Sequence, residues 1–538
     1  MSASSKKKLR NAQQAEKLTE KQLAEQKEAK KLKLYTTLAV VILIALVAFA
    51  AYVGINRAVS NSGVRERNTV ALTIGEHQIN NAELNYFFVD AVNTFYSQYG
   101  SYAALLGLDT TKPLDKQIIN EETKETWADD FILTAIDNAK AAYALADAAK
   151  ADGYSLPEEA INEIDMTIAN IAVYATLYGY PDADTYVKAM YGNGATQESL
   201  REYYELTFLA RYYQDYYYDT LTYTDAELRA AEAENYNAYS TYTYNYYYLN
   251  STNFIESETT DYTEEQRAEG AKKAEETAKA LTEGISTIAE FDAAVAALPM
   301  NANSTTAASY RSEDVAYSSM FTGYAEWMSD SSRKAGDMTY VANVTDTTDE
   351  NGNPVQRTNG YYVVMFDSCN DNNFALANVR HILVAFEGGS YDDNGALTYS
   401  DEEKAAAKAV AEEIYTEWKN GAATEESFAT LANEKSDDGN GTTGGLYEDV
   451  YPGQMVTAFE DWCFDGRKTG DTGIVETEYG YHVMFYSGDS QTNYRDHLIS
   501  TALASADFET WSNEIVSSVT ATEHSFKYVR TDLVLSAA

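Results

Sequence analysis

The sequence predicts an α+β protein with three parts: an N-terminal transmembrane helix, a mostly α-helical domain, and two copies of one α+β unit, the first degenerate. Three observations carry this. A run of 22 residues without charge, Leu34 to Ile55, follows a basic leader. Helix-period patterns fill the stretch from Asn80 to about Ala238. An internal repeat then relates residues 240–367 to residues 376–487. The chain has 538 residues, which at roughly 150 residues per domain gives three to four units.

Residues 1–33 carry ten Lys/Arg and four Glu, and LYTTLAVVILIALVAFAAYVGI follows as residues 34–55. At about 1.5 Å per residue, such a helix spans the roughly 30 Å hydrocarbon core. The basic flank puts the N-terminus in the cytoplasm, so residues 56–538 are expected outside the membrane. Ala48-Phe49-Ala50 also fits a signal-peptidase pattern, but a cleaved signal has an apolar region of only about 7–15 residues, which favours an uncleaved anchor. No cysteine follows the segment, which excludes a lipobox anchor.

Formal net charge is −43. The exported part holds 30 Lys/Arg against 79 Asp/Glu, so nucleic acid, which needs clustered cations, is an unexpected partner. Cys369 and Cys463 are the only cysteines. With no C-x-x-C and no His/Cys cluster, neither a metal nor a redox cofactor is expected, and no cofactor of any kind is assigned.

Residues 57–67 read as a polar linker, and Val70–Ile74 with His77–Ile79 as a hairpin turning at Gly75. Asn80 is placed to cap the next helix, with Glu83 as its capping-box partner. Ser155-x-x-Glu158 and Thr224-x-x-Glu227 signal further helix starts. The Tyr-rich helix of residues 200–221 reads either as a buried face or as one wall of a groove for unfolded chains, since tyrosine offers a large ring with a polar tip.

In the repeat, YPGQMVTAFEDWCFDGRKTGD (451–471) aligns with YSSMFTGYAEWMSDSSRKAGD (317–337) at an offset of 134. The strands YGYHVMFY (479–486) and NGYYVVMF (359–366) align at an offset of 120, so the first copy has a longer polar loop. The helices opening at Thr263 and Ser400 follow in the same order. The copies differ where chemistry would sit. The first has Tyr362 in place of His482, Phe321 for Met455, Ala325 for Phe459, and no counterpart of His381 or of Ser436-Asp437-Asp438.

The motifs of the second copy are RHILV (380–384), SFATLANEKSDD (427–438), GG (444–445), GQMVTAFEDWCF (453–464) and KTGDTGIVETEYGYHVMFY (468–486). Together they resemble the parvulin family of peptidyl-prolyl isomerases over the whole of residues 376–487. The resemblance implies a four-stranded antiparallel sheet with helices, its first and last strands adjacent. It assigns His381, Asp438 and His482 as catalytic and Gln454, Met455, Phe459 and Thr477 as substrate-binding. One extra residue in GGLYEDVYPGQM leaves open whether Leu446 or Tyr447 belongs there.

The whole plan resembles the exported PrsA/SurA-type foldases, which implies an extracytoplasmic protein of a Gram-positive bacterium acting on unfolded or partly folded exported proteins at X-Pro bonds. It also implies a helical chaperone domain, residues 56–238, completed by residues 489–538. Residues 239–368 form the degenerate parvulin-like domain and residues 376–488 the isomerase domain, and a homodimer is compatible with this plan. Isomerisation about an X-Pro bond crosses a barrier of about 18–20 kcal/mol with no bond made or broken. An apolar slot for the ring, such as Met455 and Phe459 would supply, and a fixed hydrogen-bond network therefore suffice. The histidines are expected to orient rather than to transfer protons. A binding-only holdase and an envelope scaffold are the alternatives.

Overall fold

The computed structural model describes residues 3–257, 260–348, 352–392, 395–439 and 443–535, with the backbone alone for residues 14–41. It is a mixed α+β chain, mostly helical, with antiparallel sheets. Its contacts divide into two units: Met1–Leu221 with Asp507–Ala538, and Thr222–Ala506.

The first unit opens with α1 (Ala3–Asn61), in which Ile42–Asn61 is long and apolar enough to cross a membrane, with a mean hydropathy of 2.0 and no buried residue. The stretch read as a polar linker is instead helical for much of its length. Helix α1 continues to Asn61, and after Gly63 in a left-handed conformation comes α2 (Val64–Asn68). The polar residues there form a helical surface, with Arg65 donating to Ser60 and Arg67 to the Gly194 carbonyl. Strands β1 (Val70–Ile74) and β2 (His77–Asn80) form a hairpin.

Asn80 caps α3 (Asn81–Tyr99), accepting from the Ala82 and Glu83 N–H groups while Glu83 accepts from its own N–H at 2.8 Å. Helices α4 (Trp127–Ala151), α5 (Glu158–Leu177), α6 (Ala183–Tyr191) and α7 (Gln197–Thr220) complete the helical body. At the start of α5 the N-cap position is held by Pro157 rather than Ser155, with no side-chain cap; a residue without an N–H loses no bond at a helix start.

The end of the chain returns to this unit. β13 (Ala521–Glu523) pairs antiparallel with β1 on the side opposite β2. The run Ser525–Leu535, which reads as a strand in sequence, is irregular. Its backbone is held partly by Leu114 and Asp115, whose N–H groups donate to the Leu533 and Thr531 carbonyls, and partly by side chains. Buried Asn81 donates to the Ser525 carbonyl at 2.9 Å and accepts from Tyr528 N–H at 3.1 Å, and Asn85 accepts from Arg530 N–H at 2.7 Å. These amides do the work of a neighbouring strand, as buried backbone groups require. Val529 and Leu533 fill the core beside Phe88 and Phe131.

The tyrosines of α7 are largely engaged within the unit. Tyr203 stacks on Tyr86, and Tyr217 stacks on Trp511 with ring centroids 3.8 Å apart. Beyond α1, one exposed apolar stripe runs along α5, where Met166, Val173 and Leu177 are each more than 60% exposed, and continues to Tyr178 just after it.

The second unit begins with α8 (Asp225–Glu234). A first sheet comprises β3 (Thr241–Asn250), β4 (Tyr310–Ala316), β5 (Met338–Thr348) and β6 (Pro354–Asn370), in the order β4-β3-β6-β5. It is accompanied by α9 (Glu264–Ala280), α10 (Ile288–Ala296) and α11 (Thr322–Met328). A second sheet repeats the plan with β7 (Ala375–Ala385), β10 (Leu446–Val450), β11 (Thr472–Glu476) and β12 (Gly480–Asn493), in the order β10-β7-β12-β11. Between β7 and β10 lie a two-stranded flap, β8 (Ser390–Tyr391) with β9 (Leu397–Thr398), and the helices α12 (Asp401–Asn420) and α13 (Glu425–Lys435). Helix α14 (Thr457–Phe464) precedes β11, and α15 (Tyr494–Ser518) follows β12.

The repeat has a structural cause. In both copies R-K-x-G-D makes the same turn: Asp337 and Asp471 accept from the Lys334 and Lys468 N–H groups, and Gly336 and Gly470 donate to Phe366 and Tyr486. The arginine packs on the tryptophan before it, Arg333 on Trp327 and Arg467 on Trp462. The drop in offset from 134 to 120 also has a cause. β11 and β12 stop pairing at Glu476↔Tyr481, whereas β5 and β6 continue past the matching Ala342↔Tyr361 to Thr348↔Pro354.

Buried Arg495, at the start of α15, ties this unit together. It pairs with Glu232, donates to the carbonyls of Tyr236 and Asp371 at 2.7 and 2.8 Å, and stacks over the Tyr236 ring.

Candidate functional site

The second sheet has two different faces, set by strict alternation along β7 and β12. Ile382, Val384, Tyr481, Val483 and Phe485 face a core shared with α12 and α13. Ala377, Val379, Met484 and Tyr486 face the other way, onto α14. His381 and His482 fall in the second set by parity. The register pairs His381 with Met484 and Leu383 with His482, so the histidines are diagonal neighbours on adjacent central strands. Their Nδ1 atoms are 3.0 Å apart, and both residues are buried.

Each end of the pair has a partner. His381 Nε2 lies 2.9 Å from Asp438 Oδ2, and His482 Nε2 lies 2.9 Å from Thr477 Oγ1. Asp438 reaches this position because Ser436-Asp437 docks beside β7. Asp437 N–H donates to the Leu383 carbonyl, Ser436 Oγ accepts from Leu383 N–H, and Asp437 Oδ2 accepts from Ala385 N–H, all within 3.0 Å. Gly445 brings β10 onto β7 at the same level. Its φ is +66°, and a Cβ there would lie 2.1 Å from the His381 carbonyl oxygen. Two residues further on, Tyr447 donates its hydroxyl to Asp438 Oδ2 at 2.8 Å and lies against the His381 ring.

Chemistry fixes the direction of every bond in this line. Asp438, as a carboxylate, only accepts, so His381 Nε2 carries the proton and His381 Nδ1 is a lone pair. His482 must then donate from Nδ1, which leaves its Nε2 to accept from the Thr477 hydroxyl. Both rings are neutral in this arrangement, and burial favours that. His482 is lowered to about 4, by burial first and then by the neighbouring His381. His381 is also lowered by burial, against the opposing pull of Asp438. No proton is left over for acid catalysis near neutral pH, and the line holds two rings in one tautomer each.

The apolar wall is Phe459 on α14, buried and edge-on to both imidazoles, with centroids 5.5 Å from His381 and 5.4 Å from His482. Met455 packs half-buried against the same cluster. Met455 and Thr477 also line a cleft of about 590 Å³ with Lys404, Ala458, Glu476 and Glu478. Gln454 is not drawn into this group. It is exposed, and its side chain accepts from the Tyr451 N–H at its own turn. Cys463 is buried on α14 and Cys369 is exposed, and both are free thiols.

Tyr447 was the open position in the sequence. It stands in the strand after the glycine pair, where alternation from Gly445 turns it toward His381. Ser436 and Asp437 were visible only as companions of Asp438. In the first sheet the register pairs Tyr246 with Val364 and Tyr248 with Tyr362, so Tyr246 stands where His381 does and Tyr362 where His482 does. Their centroids are 6.1 Å apart, and Phe321 lies 4.9 Å from Tyr362. Tyr246 was missed because sequence identity fades upstream of the second half of the repeat.

Residues 362–487 match the family model of the PPIC-type PPIase domain. The chaperone SurA of Chromohalobacter salexigens is 33% identical over 150 residues, which is 26% of this chain and 30% of that protein. Among solved structures, the peptidylprolyl isomerase PrsA of Bacillus cereus is 21% identical over 28% of this chain and 50% of its own, with a TM-score of 0.17. PrsA of Bacillus subtilis is 14% identical over 75% of this chain and 91% of its own, with a TM-score of 0.23. The chain therefore spans about a third of the curated relative and half of the first solved one.

Proposed function

Taking as premise the PPIC-type PPIase domain that residues 362–487 match, we propose that the chain is a membrane-anchored, extracytoplasmic peptidyl-prolyl cis-trans isomerase and chaperone for exported proteins. The observation that carries this is the unbroken line Thr477–His482–His381–Asp438–Tyr447, with Phe459 edge-on to both rings.

In this reading the prolyl ring enters beside Met455 and Phe459. The amide loses its C–N resonance as it twists, and an apolar surround favours the less dipolar twisted form over the planar one. His381 and His482 act as fixed walls whose orientation Asp438, Tyr447 and Thr477 maintain. Gln454 precedes Met455 in sequence but closes its own turn and stays outside the line. Residues 376–488 form the parvulin unit, and residues 239–368 a second unit of the same plan in which Tyr246 and Tyr362 replace the histidines, so that it binds without catalysing. The helical body, residues 56–238 with 489–538, holds unfolded clients, supported by the exposed stripe on α5 and by a cleft of about 560 Å³ lined by Leu156, Ile161, Leu206 and Leu209. Residues 34–55 are the membrane span, with the N-terminus cytoplasmic, as the positive-inside bias favours. This suits a Gram-positive cell envelope.

The test is proline-limited refolding of a reporter protein by the full chain in detergent micelles. Acceleration is expected, and it should vanish in a His381→Ala, His482→Ala double variant while persisting in Tyr362→Ala. Equal acceleration by the double variant refutes the enzymatic reading. The holdase alternative then gains if aggregation is still suppressed.

A further inference from the structure

We infer that the first α+β unit captures a carboxylate in a small basic cavity at the root of its extended β5–β6 hairpin. The cavity is about 290 Å³ and is lined among others by Ser251, Ile255, Arg267, Arg357 and Asn359. Among the described residues, two polar atoms of this lining are buried without a hydrogen-bond partner: the Ser251 hydroxyl and Arg357 Nε. Ser251 is only 3% exposed. A buried donor left unpaired is unfavourable, more so when charged, so two around one cavity point to a ligand that accepts hydrogen bonds. Arg357 is already oriented, its Nη2 donating to Glu264 on the helix α9. Arg267, also on α9, lies over the Tyr262 ring and forms no ion pair among the described residues.

The second unit shows what is missing. Arg267 stands four residues after the N-cap Thr263, as Lys404 does after the N-cap Ser400. Lys404 reaches Glu476 Oε1 at 3.2 Å. Glu476 pairs with Tyr481 across its hairpin, and the matching pair in the first unit is Ala342 with Tyr361. The first unit has therefore lost the internal carboxylate at this position, gained Arg357 on its longer hairpin, and kept a cation on the helix. A carboxylate from another molecule restores the pairing, with one oxygen for the arginines and one for the Ser251 hydroxyl. The volume admits an acidic residue with its backbone, so the ligand class is an acidic peptide, through a Glu or Asp side chain or a chain terminus. This holds whether or not the second unit is an isomerase.

Saturation-transfer NMR on the full chain in detergent micelles tests this with three probes: acetyl-Ala-Glu-Ala-amide, its Gln counterpart, and acetyl-Ala-Ala with a free carboxyl. The Glu peptide is expected to bind roughly tenfold or more tightly than the Gln peptide, the worth of one charge-assisted pair. The free-acid probe separates terminus from side chain, and either result supports the carboxylate site. Arg357→Met and Arg267→Met should each weaken the Glu peptide by roughly tenfold. Arg267 holds no ion pair that folding depends on, so its variant decides the matter if Arg357→Met fails to fold. Equal binding of the Glu and Gln peptides, unchanged binding in Arg267→Met, or displacement of the Glu peptide by inorganic phosphate at concentrations below the peptide's own Kd would overturn the inference.

Discussion

Acid should loosen the second sheet before it affects the first, and the reason is the histidine pair. His482 is lowered from 6.5 to about 4 in the folded chain. The unfolded chain therefore takes up this proton first as pH falls through 6.5. The stability associated with neutral His482 is complete above 6.5, erodes between 6.5 and about 4, and stops changing once both states are protonated. A gap of that size amounts to about 3 kcal/mol over the whole window, of which about 2 kcal/mol is lost by pH 5. His381, lowered in the same direction, adds to the effect. The assay is hydrogen–deuterium exchange of β7 and β12 at pH 7 and pH 5, corrected for intrinsic rates, in the wild type and in His482→Phe. Tyr362, at the matching position of the first sheet, shows that the frame accepts an aromatic ring there. The wild type should lose roughly 30-fold more protection than the variant. Equal losses, or ring NMR showing His482 protonated at pH 6, would refute the reasoning.

Three further outcomes are expected. Thr477→Val leaves His482 Nε2 buried without a donor, which should cost about 1–3 kcal/mol of local stability, read by the same exchange measurement. The ring tautomers should stay unchanged, because Asp438 still fixes them from the other end. Asp438→Asn offers His381 an NH2 group as well as an oxygen, so nitrogen NMR of the imidazoles should show mixed tautomers where the wild type shows one, with refolding catalysis falling on the order of 100-fold as the rings lose their fixed orientation. Gly270→Ala would gain about 1 kcal/mol in helix propensity, but its Cβ would lie 2.7 Å from the Ser251 carbonyl and from Ile255 Cγ1. Overpacking of about 1–3 kcal/mol should win, giving a lower melting temperature by calorimetry.

What could be read from the residues alone followed from periodicity and motif order. The PPIC-type domain was legible because its motifs are contiguous and carry their own spacing. The repeat was legible where the R-K-x-G-D turn demands the same residues twice. It faded on β3, whose backbone pairing accepts any side chain that fits the pleat, and Tyr246 was lost there. Among the candidate site residues, His381, Asp438 and His482 stood in recognisable motifs and lie in one hydrogen-bonded line. Tyr447 needed the register of β10 on β7, which one additional loop residue concealed. Gln454 sits in the right motif, yet its side chain closes its own turn. The expected strand at Ser525–Leu535 shows another limit. Alternating apolar residues announce burial, but whether a paired strand or scattered partners (two asparagine side chains and the N–H groups of Leu114 and Asp115) satisfy the backbone is decided by residues more than 400 positions away. The helix across the expected linker follows from the same limit, because polar composition alone does not distinguish a loop from an exposed helix.

The pairing of β13 with β1 has a consequence for synthesis. Leu72 meets Glu523, so the first strand to leave the ribosome waits for almost the last. Closing a loop of that length costs little more than closing a short one, because the entropy grows only with the logarithm of length, but the delay cannot be avoided. While synthesis proceeds, the intervening sheets can fold before the helical body is complete, with its β1 edge still open. An unpaired edge is a template for association with other strands. A message cut short near codon 520, or a protease trimming the tail, would thus yield a protein with two finished sheets and one adhesive edge, and quality control that recognises the tail would be guarding the beginning of the chain.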